Sequence, residues 1–165
     1  MTQTLILMRH AKSSWSNLGQ VDHDRPLNPR GRRSAAVLGQ WLESKNLIPD
    51  EVISSSSRRT QETFEGLSFE VTPVYTRALY HADPAQMLKV LHGAHGSCVL
   101  LLGHNPGIAG FAKKLAAVPP HHDRFSDYPT GATTVMTFEI DKWDNAQFGT
   151  GTVTDFVIPR ELADT

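Results

Sequence analysis

Arg9 and His10 stand directly after the apolar run Leu5, Ile6, Leu7, Met8. The pair sets a permanent cation beside a side chain that is a nucleophile when neutral. Two later apolar runs end in related chemistry. Glu51 to Ser54 leads into Ser55, Ser56, Ser57, Arg58 and Arg59, and Cys98 to Leu102 leads into Gly103, His104, Asn105, Pro106 and Gly107. Arginines grip phosphate oxygens in pairs, and a neutral imidazole attacks phosphorus. Helices opening at Ser57 and Asn105 would add free N–H donors and the positive end of a dipole. Gathered in one place, two histidines and two or three arginines make a site for a phosphoryl group. Each also has a plainer reading: Arg58 as a solvated helix residue, Ser54 and Ser56 as a polar turn, Lys12 and Ser13 as exposed neighbours.

The three junctions meet only if the apolar runs are neighbouring parallel strands, whose carboxyl ends lie side by side. The remaining pattern fits that arrangement. Asn28-Pro29 and Asp83-Pro84 each place a capping side chain before a proline suited to the first helical position. Ala35, Leu38 and Leu42 recur at helical spacing, predicting a helix from about Pro29 to Lys45. A second helix spans Ser57 to Gly66, with the glycine as its stop. Met87, Leu88 and Leu91 mark a third helix, and Ile108, Phe111, Ala112 and Leu115 a fourth that opens at Asn105-Pro106. Phe69 to Val74 reads as a short strand, and Thr133 to Ile140 and Thr152 to Ile158 as a final antiparallel pair. Val118 to Thr130 reads as a long loop. Strands alternating with helices imply an α/β fold of three layers, α/β/α, with a mainly parallel central sheet and an antiparallel C-terminal edge.

Composition narrows the classes. The chain has 165 residues, of which 39% are hydrophobic and 20% charged, which suits one folded domain over 1–165. A net charge of −1 argues against nucleic-acid binding driven by bulk positive charge. No run approaches the roughly 20 apolar residues of a membrane span, and the N-terminus lacks a leader's basic region, so a soluble cytoplasmic protein is expected. The one cysteine, Cys98, reads as a small core residue. It cannot serve a cysteine phosphatase, because the sixth residue after it is His104 rather than arginine. Asp22, His23 and Asp24 read as a loop bordering the site. His81, His92, His95, His121 and His122 have no Cys or carboxylate at ligand spacing and read as surface residues. No metal and no cofactor are expected.

The segment Leu7-Met8-Arg9-His10-Ala11-Lys12-Ser13 resembles the opening motif of the histidine phosphatase superfamily, which includes phosphoglycerate mutases and acid phosphatases. Ser55 to Thr63 is similar to that family's second motif, a serine four residues before an arginine and a threonine four after it, which registers Arg59 as the second phosphate-binding arginine. Gly103-His104-Asn105-Pro106 matches its second histidine, and Arg25-Pro26-Leu27-Asn28 the opening of its first helix. Asp127 to Ala132 resembles a late loop of the small SixA-like phosphohistidine phosphatases. The resemblance implies a phosphoglycerate mutase-like fold and a two-step reaction. His10 takes the phosphoryl group, while Arg9, Arg59 and a cationic His104 hold its oxygens. Ser13 and Arg58 are further candidates for phosphate contact. Where many relatives carry an acidic glutamate this chain has Leu79-Tyr80-His81-Ala82-Asp83, so Asp83 is the candidate acid as well as a helix cap. The implied partner is a phosphorylated protein, a phosphohistidine carrier or phosphorelay domain. A small phosphoester is the alternative, and a non-catalytic phosphate-binding docking module a second one.

Overall fold

The computed structural model describes residues 1–162. Strands β1 (Thr2–Arg9), β2 (Glu51–Ser55), β3 (Val74–Thr76), β4 (Cys98–Gly103), β5 (Thr133–Glu139) and β6 (Thr152–Val157) form one sheet in the order β3-β2-β4-β1-β5-β6. β1, β2, β3 and β4 pair in parallel, whereas β5 pairs antiparallel with β1 and β6 antiparallel with β5. The helices are α1 (Pro29–Ser44), α2 (Arg58–Leu67), α3 (Pro84–His92), α4 (Gly107–Leu115) and the short α5 (Pro159–Leu162).

The three layers follow from alternation along the central strands. Successive side chains of a strand point to opposite faces. Leu5 and Leu7 of β1, with Val99 and Leu101 of β4, pack on Met87, Leu91, Ile108 and Phe111 of α3 and α4. Ile6 and Met8, with Leu100 and Leu102, pack on Leu38, Leu42, Phe64 and Leu67 of α1 and α2. Both faces are covered, so these strands read as continuous apolar runs rather than as alternating ones. Each fully buried side chain of this size contributes roughly 1.5–3 kcal/mol.

Several boundaries differ from the sequence reading. The strand expected over Phe69 to Val74 lies at Val74–Thr76, pairing Val74 with Ile53, because Pro73 has no N–H to give to a ladder. Gly66 does not stop α2, which continues to Leu67 and ends with Ser68 in the left-handed region (φ 65°). Gly66 is instead a contact residue: a Cβ there would lie 2.6 Å from the Cβ of Ala35, so it lets α2 approach α1. Cys98 is only half-buried, at the start of β4, where its N–H donates to Asp50. The helix after His104 begins at Gly107 with Pro106 at the cap position, and the Asn105 side chain accepts from the Ala109 N–H of its first turn at 3.2 Å. The turn α5 follows β6 directly and had no signal long enough to be read.

Candidate active site

Registered parallel pairing brings the strand ends together. Arg9 lies opposite Gly103 in the β1–β4 ladder, and the His10 N–H donates to the Gly103 carbonyl at 3.2 Å. The rings of His10 and His104 therefore sit side by side, their centroids 5.2 Å apart. Thr63 of α2 completes the junction: its hydroxyl accepts from the Ala11 N–H at 3.0 Å and donates to the Arg59 carbonyl at 2.7 Å. Arg9, His10, Arg59 and His104 line one cavity of about 330 Å³ together with Ser13 and Asp22.

The hydrogen bonds assign the tautomers. His10 Nδ1 lies 2.7 Å from the Ala11 carbonyl, which can only accept, so Nδ1 carries the proton and Nε2 carries the lone pair. For His104 the order is reversed. Its Nδ1 accepts from the Arg59 guanidinium at 3.3 Å, and its Nε2–H donates to the Ser55 hydroxyl at 2.8 Å. Burial is the largest influence on both rings, and the arginines add to it. The pKa of His10 falls to about 3 and that of His104 to about 2. The cationic His104 expected from the sequence is thus corrected to a neutral imidazole, held so by desolvation, by His10 and by Arg59.

These shifts predict an acid-sensitive fold. An unfolded histidine takes its proton near pH 6.5, whereas the folded rings resist it, so protonation favours unfolding. The stability from the two neutral rings is fully present above pH 6.5 and is lost as pH falls toward the folded values near 3 and 2. Well below pH 6.5 each imidazole should contribute a slope of about 1.4 kcal/mol per pH unit. Urea unfolding at pH 7.5, 6 and 5 measures it, and His104→Gln should flatten the fall; an unchanged slope would overturn the assignment.

Arg59 is held from behind. One guanidinium nitrogen donates to the Asp22 carbonyl at 2.7 Å and the other to the Asp22 carboxylate at 3.1 Å. The Tyr80 hydroxyl donates to the same carboxylate. Burial raises the pKa of Asp22, but the hydrogen bonds from Tyr80 and Arg59 outweigh it and hold the carboxyl below its ordinary value. Arg9 is positioned by the late loop: its Nη1 donates to the Tyr128 carbonyl at 3.1 Å. The Asn105 amide donates to the same carbonyl at 3.0 Å and to that of Asp127 at 2.9 Å. The Tyr128 hydroxyl donates to the Leu7 carbonyl at 2.7 Å, which ties this loop to β1.

Two candidate site residues fall elsewhere. Arg58 is 53% exposed and pairs with Glu62 one helical turn along at 2.9 Å, because neighbouring positions on a helix point about 100° apart and Arg59 takes the inward one. Asp83 does not line the cavity of His10. Its carboxylate caps α3, accepting from the Gln86 N–H at 2.8 Å, and it borders a separate apolar recess. Ser54 and Ser56 are not a loose turn. Ser54 is wholly buried in β2, and the Ser56 hydroxyl meets His23 Nε2 at 2.9 Å.

Tyr80 and His81 are the residues that sequence reasoning missed. Tyr80 meets His104 edge-on at 5.5 Å, and His81, expected as a bland surface residue, lines the cavity with its ring 4.0 Å from that of Tyr80. The available signal was their place just past the carboxyl end of a parallel strand, obscured because β3 was placed too early. Among the described residues no three His, Cys, Asp or Glu side chains gather as a metal site, and no helix is long and apolar enough to cross a membrane.

Known proteins resemble this chain in sequence and in fold. Residues 5–80 match the model of the histidine phosphatase superfamily, branch 1. An uncharacterised protein of Mycobacterium tuberculosis, Rv1276c, is 31% identical over 160 residues, covering 93% of this chain and 100% of its own. A Nakamurella multipartitia protein named as a phosphohistidine phosphatase, SixA, superposes with a TM-score of 0.83 at 26% identity, covering 96% of this chain and 97% of its own. A phosphoserine phosphatase of Entamoeba histolytica, solved with 3-phosphoglyceric acid, shares the fold with a TM-score of 0.65 at 14% identity, covering 97% of this chain and 99% of its own. The motifs, the sheet that aligns them and these likenesses agree, and the chain belongs to the histidine phosphatase superfamily.

Proposed function

We propose that this phosphatase acts on protein phosphohistidine, through a phosphohistidine intermediate on His10. The His10 Nε2 lone pair attacks phosphorus; the new N–P bond forms as the bond to the leaving group breaks, and the leaving atom takes the electron pair. Water then attacks the same phosphorus, returning neutral His10 and inorganic phosphate. Arg9 and Arg59 hold the oxygens whose charge builds in each step. His104 Nδ1 accepts from the Arg59 guanidinium and so helps to aim it at the phosphoryl oxygens. Asp22 sets the orientation of Arg59.

One observation carries the choice of substrate. Among the described residues Asp22 is the only carboxyl group lining the cavity, and it is kept ionised by Tyr80 and Arg59. It cannot protonate a leaving group while so held. An alkoxide leaves poorly without an acid, which ordinarily supplies roughly 10²–10⁴-fold. The imidazole of a phosphohistidine needs no acid from the site, because with its second ring nitrogen protonated from solvent it departs as a neutral ring. The competing reading, a small-molecule phosphomonoesterase, rests on His81, whose exposed ring at the cavity could deliver a proton.

A phosphorylated histidine carrier protein and a panel of alkyl phosphates, offered to the same preparation, test the choice. The carrier should be turned over at least about 10²-fold faster in kcat/KM. Comparable or exclusive turnover of the alkyl esters would overturn the assignment.

A further inference from the structure

Beside the cavity of His10 lies a second one of about 170 Å³, lined by Lys12, Arg30, Arg124 and Arg160. Lys12 and Thr130 line both cavities. Among the described residues no carboxylate lines the second. Of the described acids close to these cations in sequence, Asp127 and Glu161 are engaged, while Asp123 borders a neighbouring recess that Arg124 and Arg160 also line. Asp127 pairs with Arg124 at 3.0 Å. Glu161 accepts from His122 at 2.9 Å and from the Ile158 N–H at 3.1 Å. Among the described residues no ion pair involves Lys12, Arg30 or Arg160.

This concentration of positive charge runs against local electrostatics. Arg30 stands in the first turn of α1, which has no acidic residue, so a cation sits at the positive end of a helix dipole. Like charges around a small cavity repel one another, and a chain of net charge −1 does not owe Lys12, Arg30 and Arg160, the three without an ion pair, to a generally basic surface. An anion placed among them would relieve both costs.

The second cavity is also held at a set distance from the first. The Gly131 N–H donates to the His10 carbonyl at 2.9 Å. Pro159, in the wall of the second cavity, packs so closely on Gly131 that a Cβ there would lie 2.5 Å from the proline ring. A rigid stretch of a few residues thus joins His10 to the basic wall.

We propose that this second cavity binds a second anionic group of the substrate while the phosphoryl group sits at His10. The inference rests on the phosphatase reading and adds to it the substrate class, one with two negative groups at a fixed spacing. Two sources share that chemistry: carboxylates flanking a phosphohistidine on a protein, and a second phosphate on a small molecule.

The test compares the wild-type chain with the Arg30→Ala/Arg160→Ala double variant, both residues being exposed and outside the catalytic set. Phenyl phosphate, a diphosphorylated sugar, and phosphohistidine peptides with acidic or neutral flanks serve as substrates. Phenyl phosphate and the neutral peptide should be unaffected. A doubly anionic substrate should lose about tenfold in kcat/KM, carried by KM and reduced by salt, as expected for a lost charge-assisted contact. A loss confined to the acidic peptide names the protein source, and a loss confined to the diphosphate names the small molecule. Equal effects on all substrates, or none, would overturn the inference and leave the phosphatase reading intact. Calorimetric binding of tungstate and of pyrophosphate to both proteins separates the two failures. If the wild-type chain hydrolysed nothing, the phosphatase reading would fall. A selective loss of pyrophosphate affinity in the variant would then still support the second anion site, and unchanged affinity would reject it.

Discussion

Replacing His10 with alanine should abolish turnover, lowering kcat by roughly 10⁴–10⁶-fold, the range seen when a covalent nucleophile is removed. The neighbouring groups cannot substitute. His104 directs Nε2–H to Ser55 and its Nδ1 lone pair to the Arg59 guanidinium, so neither nitrogen is free to attack. A phosphoenzyme trapped from radiolabelled substrate should carry label on the wild-type chain and none on the variant. Surviving label would remove His10 as the nucleophile. Tungstate should still bind the variant, since Arg9 and Arg59 remain, which separates lost chemistry from a lost site.

The second large effect is expected at Arg59. Its guanidinium faces His104 on one side and Asp22 on the other, at 3.3 and 3.1 Å. Arg59→Ala should cost about 10²–10³-fold in kcat, the usual loss when one donor to a developing oxyanion is removed. It also strips Asp22 of its cation, leaving a carboxylate that repels an incoming phosphate. Arg59→Lys should recover only part of the loss, because an ammonium on a flexible stem cannot grip two partners in one plane. Adding Asp22→Asn to Arg59→Ala should restore oxyanion affinity in part, which a purely structural role for Arg59 would not predict. Steady-state kinetics and tungstate binding on the three variants distinguish these outcomes. An alanine variant as active as the parent would exclude Arg59 from the reaction.

Much of the site was legible because strand ends and helix starts have local causes. The apolar runs before Arg9, Ser55 and His104 are short and buried on both faces, as central parallel strands must be. Asn28 and Asp83 cap helices as their spacing to proline predicts, with Gly31 and Gln86 as donors. The same local logic explains the failures. Asp83 met the requirement of a cap, and a side chain bound to a helix N-terminus is not available to a cavity beside it. Arg58 and Arg59 differ only in helical phase, which the resemblance to a known motif resolved and composition alone did not. Tyr80 and His81 were marked only by their place just past a strand end, because what brings them into the site is contact with Asp22, 58 residues before Tyr80 in the chain.

By itself, the sequence determined which chemical groups this protein has and at which strand ends they stand. Hydrophobic runs, prolines and capping side chains act over a few residues and need no partner elsewhere. The tertiary structure alone decided which nitrogen of each histidine is free, which groups stay neutral and which carboxylate reaches the site. Those properties depend on burial and on partners brought from other segments: Ala11 and Ser55 against the two imidazoles, Asp22 against Arg59, and the wall of α5 beside Gly131. A proton's position follows the electrostatics of the assembled site, and that field exists only once the chain has folded.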